Sequence, residues 1–268
     1  YVKGFVVGSK NDANDARAIA MAAQHDGIPS VPIKSVQQQD YQTLHRIRES
    51  YVRQRTATSN MIRGFLLEYG CVMPRGLSIL RRKVPEFLED GDNNLTDSVR
   101  DLINKLFTDI HRLDQTIKDF DRQIKTRVAD NVVCQRLMKL KGVGPVIALL
   151  SYATLGHACY FKNGRHCAAY LGLVPKEHST GGKHSLLGIS KRGNATLRGL
   201  LIHGARAVIK NIGDKQDALS MWLRRLKDER GYNKCCVALA NKLARHIWAI
   251  MAYGEEYKAS PFMVKRKN

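Results

Sequence analysis

Eight apolar residues set the clearest rhythm in the chain. Val99, Ile103, Leu106, Ile110, Leu113, Ile117, Phe120 and Ile124 recur at alternating steps of four and three. That spacing is the a/d seam of a coiled coil held for more than three heptads, and it predicts one long helix. Ser98 with Asp101 supplies a capping pair at its start. The seam must be covered by another helix, from this chain or from a second copy. Residues 40–69 also read as helical, with Leu44, Ile47, Tyr51, Met61, Phe65 and Leu66 as one face and Arg46, Arg48, Arg53, Arg55 and Arg63 on the other.

The first 35 residues begin with an apolar, strand-like piece and continue through a polar turn into a helix along DARAIAMAAQ. Pro29 and Pro32 then mark an extended link. From about Val132 the pattern changes to short apolar blocks: LMKLKGVGPVIALLSYATLG, then FKNGRHCAAYLGLVP, then helices through LRGLLIHGARAVIK and ALANKLARHIWAIMAYG. The end, SPFMVKRKN, reads as a basic tail.

Composition sharpens this picture. The 268 residues are 44% apolar, ample for a core, and Lys plus Arg exceed Asp plus Glu by 44 − 24 = 20. The excess runs along the whole chain, which points to a polyanion, first of all nucleic acid. The six cysteines show no CxxC pair and read as ordinary thiols of a reducing cytoplasm. His157, Cys159, His166 and Cys167 crowd together, but their spacing matches no common zinc finger. No segment has the apolar length of a membrane span, and no signal peptide is visible.

Three motifs carry chemistry. In KNDANDARAIA, Asp12 and Asp15 stand three apart and share a helix face, where their oxygens could ligate Mg²⁺. The bland alternative makes Asn11 or Asp12 a helix N-cap, with Asp15 at the capping-box position. Leu137, Leu140, Gly142, Val143, Gly144, Pro145 and Ala148 form L-x-x-L-x-G-V-G-P-x-x-A, the pattern of a helix-hairpin-helix. Its glycine turn would expose N–H groups at Gly142 and Gly144, before a helix that starts on Pro145, to grip a DNA phosphate.

The third motif is Lys176–Arg198, KEHSTGGKHSLLGISKRGNATLR, expected to be a flexible basic loop between two buried elements. Ser179 could be a nucleophile there, with glycines admitting a phosphate and Lys183, Lys191, Arg192 and Arg198 offsetting its charge. Spacing alone leaves Ser185 and Ser190 as rivals, and His178 as a base or a phosphate contact.

These motifs, in this order, resemble the Piv-related DEDD transposases of the insertion sequence 110/1111 family, enzymes described as bridge-RNA-guided recombinases. The likeness rests on KNDANDA, KGVGP, LGLVPKEHSTGGKHSLLGISKRG with LRGLLIHGARA, and ANKLARHIWA, and covers nearly the whole chain. It implies a mainly α protein with the remnant of a RuvC-like (RNase H-like) α/β domain at 1–35. A helical coiled-coil region at 36–130 would follow, then a helical transposase domain with a helix-hairpin-helix at 131–256 and a basic tail at 257–268. By resemblance Ser179 is the nucleophile of DNA cleavage and rejoining, Asp12 and Asp15 are the last two of four acidic Mg²⁺ ligands, and the phosphate contacts are those named above.

The resemblance also implies DNA and a structured guide RNA as partners, a homo-oligomer formed through the coiled coil, no membrane, and the cytoplasm of a bacterial or archaeal cell. The family's first Asp and its Glu precede the KNDANDA segment, and Glu49 and Glu68 on the basic helix do not replace them. The expectation is therefore half a metal site, in a chain that alone binds nucleic acid without recombining it. Two other readings differ in kind: a non-enzymatic DNA- or RNA-binding protein, and a junction nuclease that uses water and metal without the serine.

Overall fold

In the computed structural model residues 2–28, 32–181 and 183–254 are described, apart from the side chains of Lys183 and His184. Among them ten α-helices stand against a single pair of strands, so the chain is mainly α, as its sequence predicts. It divides into two units, Tyr1–Ser35 and Val36–Asn268.

In the first unit the helix through DARAIAMAAQ forms as α1, Asp12–Ala23. Asn11 caps it, its side-chain oxygen accepting from the Asn14 N–H at 2.7 Å. Asp15 lies one position beyond the capping-box site, which Asn14 occupies, and the Asn14 amide donates instead to the Ser9 carbonyl at 2.8 Å. The expected strand at the start does not form: Val2–Phe5 make a single 3-10 turn. A strand needs a neighbour for its N–H and C=O groups, and no other strand lies among the described residues of this unit. Pro29 falls outside the described residues.

The second unit is organised by two helices of 33 residues, α2 (Val36–Glu68) and α4 (Asp97–Ala129), with α3 (Leu77–Glu89) beside them. The predicted seam is real: Ile103, Ile110, Leu113, Ile117 and Ile124 are buried, and Val99, Leu106 and Phe120 pack against the core. It is filled from within the chain. Ile62 and Leu66 of α2 and Leu80 and Val84 of α3 meet its early part, while Tyr41 and Leu44 of α2 join Ile124 and Val128 at its end. Fully burying each of these isoleucines contributes about 1.5–3 kcal/mol. Thr96, not Ser98, caps α4, accepting from the Val99 N–H.

The face expected for α2 holds in part: Leu44 and Leu66 are buried and Tyr51 is half-buried. Ile47, Met61 and Phe65 are more than 40% exposed, whereas His45, Ser59 and Ile62 are buried. Ion pairs with α4 accompany this arrangement. Arg48 binds Asp121 at 2.6 Å, and Arg55 binds Asp114 at 2.7 Å, so two arginines assigned to the outer face turn inward. Arg81 of α3 completes a clamp on Asp114 at 2.5 Å.

The remaining helices form one body around α6 (Pro145–Leu155), which is apolar on all sides and nearly wholly buried. Around it lie α5 (Val132–Met138), α7 (Gly164–Tyr170), α8 (Ala195–Lys210), α9 (Ala218–Arg230) and α10 (Tyr232–Tyr253). α10 packs against all five of the others, and Trp248 on it donates to the Ala158 carbonyl at 3.0 Å. No helix among the described residues is long and apolar enough to cross a membrane.

Candidate active site

The segment expected to be a flexible loop is instead a β-hairpin. β1 (Pro175–Thr180) pairs antiparallel with β2 (Lys183–Ile189), joined by a Gly181–Gly182 turn in which Gly181 takes φ +57. A positive φ is what a tight hairpin turn requires, and Gly181 provides it. Every residue of β1 is exposed. Alternation then sorts the side chains: Glu177 and Ser179 lie on one face of β1 and His178 on the other. The Ser179 hydroxyl donates to Glu177 Oε1 at 2.7 Å. Across the ladder Ser179 faces His184, and His178 faces Ser185.

The three serines are thereby distinguished. Ser179 is exposed and bonded to a carboxylate, and Ser185 stands exposed opposite a histidine. Ser190 sits at the foot of the hairpin, its N–H on the Val174 carbonyl at 2.8 Å and its hydroxyl oxygen buried. Glu177 is the residue that sequence reasoning missed; its position two before Ser179 becomes informative only once the segment is a strand.

The foot of the hairpin is locked by close backbone approach. A Cβ on Gly193 (φ +72) would lie 1.8 Å from the Tyr170 carbonyl oxygen, and one on Gly172 (φ +70) 2.3 Å from that of Arg192. The turn between them holds Lys191 at φ +55, its N–H on the Gly172 carbonyl at 3.1 Å. Arg198 spends Nη1 on the carbonyls of Leu171 and Arg192, at 3.1 and 2.9 Å, so it braces this turn from below. Lys191 and Arg192 remain exposed. Lys183 opens β2, and its side chain lies outside the described residues.

The KGVGP segment joins α5 to α6. Its glycines divide the work. Gly142 (φ +92) is pressed onto α8, where a Cβ would fall 2.8 Å from Val208 and 3.0 Å from the Gly204 carbonyl; a Cβ on Gly204 would lie 2.1 Å from the Gly142 oxygen. That glycine is consumed by packing. Around Gly144, by contrast, a Cβ would meet nothing within 4 Å, and α6 begins there on Pro145 without a side-chain cap. The open approach lies at Gly144.

Asp12 and Asp15 occupy the first turn of α1, Asp12 exposed and Asp15 half-buried. They belong to the first unit and the hairpin to the second. Two hard carboxylates on one helix face suit Mg²⁺, which keeps several waters and commonly takes only one or two protein carboxylates. No cluster of three or more His, Cys, Asp or Glu able to hold a metal occurs among the described residues. Cys167 is fully buried, and burial pushes its thiol up to about 12. All six cysteines are free thiols.

Known proteins align with these elements. A family model described as "Transposase IS116/IS110/IS902 family" matches residues 134–219, which run from α5 through the hairpin and α8. A DEDD model of the IS110 type, described as "Transposase", matches residues 1–71. A "Transposase for insertion sequence element IS1111A" of Coxiella burnetii is 44% identical over 258 residues, 96% of this chain and 71% of that one. A "Probable family 20 transposase" of Pseudomonas aeruginosa is 42% identical, covering 94% of this chain and 75% of its own. A "Transposase for insertion sequence element IS1328" of Yersinia enterocolitica is 35% identical, with 95% and 75% covered. With this breadth of likeness, and with the matched segments falling on the helix pair, the serine hairpin and the acidic helix, the chain belongs to the IS116/IS110/IS902 family of transposases.

Proposed function

We propose that this transposase cuts and rejoins DNA by attack of Ser179 on a phosphodiester, with Glu177 as the proton acceptor. The observation that carries the reading is the 2.7 Å hydrogen bond from the Ser179 hydroxyl to Glu177 on an exposed strand. A serine hydroxyl is a poor nucleophile until a base receives its proton. Glu177 takes that proton as the Oγ–P bond forms and one P–O bond to the sugar breaks. The protonated Glu177 then gives its proton to the departing sugar oxygen. Rejoining runs the same steps in reverse with the hydroxyl of another strand.

Lys191 and Arg192, held by the glycine-locked turn at the foot of the hairpin, would contact backbone phosphates of the bound DNA, and Lys183 on β2 belongs to the same group by its place in the motif. Asp12 and Asp15 would hold Mg²⁺, which supplies charge neutralisation at a phosphate when bound. Gly144 and the uncapped start of α6 would receive a backbone phosphate of DNA without reading its sequence. In this reading residues 1–35 belong to a RuvC-like metal domain, 36–130 to the helical coiled coil, and 131–256 to the transposase domain with a helix-hairpin-helix. A structured guide RNA would share the net charge of +20 with the DNA. Because α2 and α3 fill the Val99–Ile124 seam, any homo-oligomer must use outer faces of these helices rather than the seam itself.

The test is a covalent adduct. The protein, in an enzyme completed with the family's first Asp and its Glu, is incubated with Mg²⁺, DNA of the element's ends and RNA transcribed from those ends, then denatured and resolved for DNA-linked protein. Ser179→Ala is expected to abolish the adduct and leave binding intact, while Ser185→Ala retains it. Adduct formation that survives Ser179→Ala but not Ser185→Ala would overturn the assignment. Cleavage without adduct that survives both changes would point to a water-and-metal nuclease.

A further inference from the structure

The arginines of α2 are not equivalent. Arg48 and Arg55 are committed to Asp121 and Asp114, and Arg63 to Ser59, Asn60 and the Gly76 carbonyl. Arg46 and Arg53 instead line a cleft of about 140 Å³ together with His45, Glu49 and Ser50 of the same helix face and Thr196 of α8. Arg53 leans on Glu49 at 3.6 Å, while Arg46 is exposed and has no ion-pair partner among the described residues.

One residue of the cleft lining is buried. His45 is only 2% exposed, and its Nε2 has no hydrogen-bond partner. A buried polar nitrogen left unpaired is costly, and native proteins rarely tolerate it without a ligand or water to satisfy it. Burial holds this imidazole below its usual range; Glu49 pulls the other way, and Arg48 and Arg46 add to the lowering. A neutral ring offers one N–H and one lone pair.

The far wall is the start of α8. Asn194 caps that helix by accepting from the Leu197 N–H, and Thr196 is its second residue, so the positive end of the helix dipole borders the cleft. α8 begins directly after the Lys191–Arg192–Gly193 turn. One helix start therefore adjoins both the cations below Ser179 and the α2 cleft.

We propose that this cleft seats a phosphodiester of a bound nucleic-acid strand, with the Arg46 guanidinium on its non-bridging oxygens, the Thr196 hydroxyl opposite and the His45 ring, its Nε2 unpartnered, on the cleft lining. The proposal rests on the reading that the chain binds nucleic acid, and it adds a second point of grip away from the serine. DNA and RNA share this chemistry, so the two are separated by the experiment.

Affinity of the intact protein is measured by fluorescence anisotropy for a 5′-labelled duplex DNA and, separately, for a labelled hairpin RNA, across a range of salt. One lost phosphate contact lowers the salt slope by about 0.9 and weakens binding roughly eightfold at about 0.1 M salt. Arg46→Ala, at an exposed position, is expected to show both changes. Arg112→Ala, on the exposed side of α4 and 67% exposed in its side chain, removes the same charge elsewhere and is expected to leave the slope unchanged. Thr196→Val and His45→Leu are expected to weaken binding, and His45→Gln, which keeps a donor, to restore part of it. Loss confined to duplex DNA assigns the cleft to DNA, and loss confined to RNA assigns it to RNA. If Arg46→Ala behaves like Arg112→Ala on both nucleic acids while the parent binds well, the cleft is not a phosphate seat and the transposase reading stands. If the parent binds neither, both proposals fall.

Discussion

Gly193→Ala tests whether the turn carrying Lys191 and Arg192 is held by backbone contact. The added methyl would sit 1.8 Å from the Tyr170 carbonyl oxygen, whereas real Cβ atoms essentially never approach within 3.0 Å, so the turn must retreat by at least 3.0 − 1.8 = 1.2 Å. The retreat disturbs the Arg198 bonds to Leu171 and Arg192 and the Lys191 bond to Gly172. Overpacking of this kind costs about 1–3 kcal/mol, and a left-handed φ of +72 adds about 1–2 for an L side chain. Against this, alanine restricts the unfolded chain and returns about 0.4–1 kcal/mol. The net loss is centred on about 3 kcal/mol (range about 1–4.6), and about 3 kcal/mol is a fall in melting temperature of roughly 6–12 °C for a domain of this size. Two companions calibrate the result. Gly181 has φ +57 but open space around it, so Gly181→Ala carries only the backbone cost, about 1 kcal/mol or 2–4 °C. Gly199 lies inside α8 with nothing within 4 Å, and alanine there should stabilise by up to about 1 kcal/mol. The measurement is circular dichroism melting of all four proteins in one buffer. A Gly193→Ala protein that melts no lower than Gly181→Ala would refute the lock.

Asp114 should behave as a buried carboxylate clamp: Asp114→Asn is expected to cost roughly 2–3 kcal/mol in urea unfolding, less than a fully buried pair because Arg81 is 41% exposed. Burial alone would raise that carboxyl, but Arg55 and Arg81 outweigh it and hold it below the usual range. Its contribution is therefore complete above about pH 4, the unfolded value, and is lost as pH falls through the lower folded value; Asp114→Asn should flatten the acid limb of a pH–stability curve, and an unchanged limb would count against the clamp. Of the six free thiols only Cys159 is exposed, and burial pushes Cys134 and Cys167 up to about 12, so a thiol reagent at pH 8 should modify one residue quickly and the others only on unfolding. Two or more fast thiols would contradict the packing.

The parts that could be read from the sequence are those set by local periodicity. The α4 seam repeats every three to four residues, and no other segment is needed to see it. The buried row of α2 could be read in that way only in part. It includes His45 and Ser59, and inward-turned Arg48 and Arg55 whose partners, Asp121 and Asp114, lie about 60 to 70 residues further along the chain. The hairpin escaped for a related cause. KEHST and KHSLLGI lack the alternating apolar pattern of a half-buried strand, because β1 has no buried face and the two strands pair chiefly with each other. With the strand unseen, the two-residue spacing that puts Glu177 beside Ser179 carried no meaning. The glycines of KGVGP marked a turn before a helix that starts on Pro145, but their different surroundings were not legible: only the packing of α8 shows that Gly142 lies against Gly204 while Gly144 has open space.

A net charge of +20 invites the conclusion that every arginine awaits a phosphate, and the pairing pattern argues for subtraction first. Arg48, Arg55 and Arg81 are neutralised across helices, Arg63 and Arg100 are spent on backbone carbonyls and amides, and Arg198 braces the turn it was expected to arm. Many cations are left over, among them the exposed Lys105, Lys118, Lys125, Lys162, Arg165, Arg206 and Lys234, and two groups of them flank the start of α8. Lys191 and Arg192 stand on the locked turn before α8, and Arg46 stands on the cleft that the first turn of the same helix closes. An ion pair already made contributes little to a polyanion, whereas an unpaired guanidinium beside a helix start and a buried, unpartnered imidazole offers charge and directed donors together. The start of α8 is thus a surface where free charge and directed donors coincide, and the paired arginines drop out of the charge count available to nucleic acid.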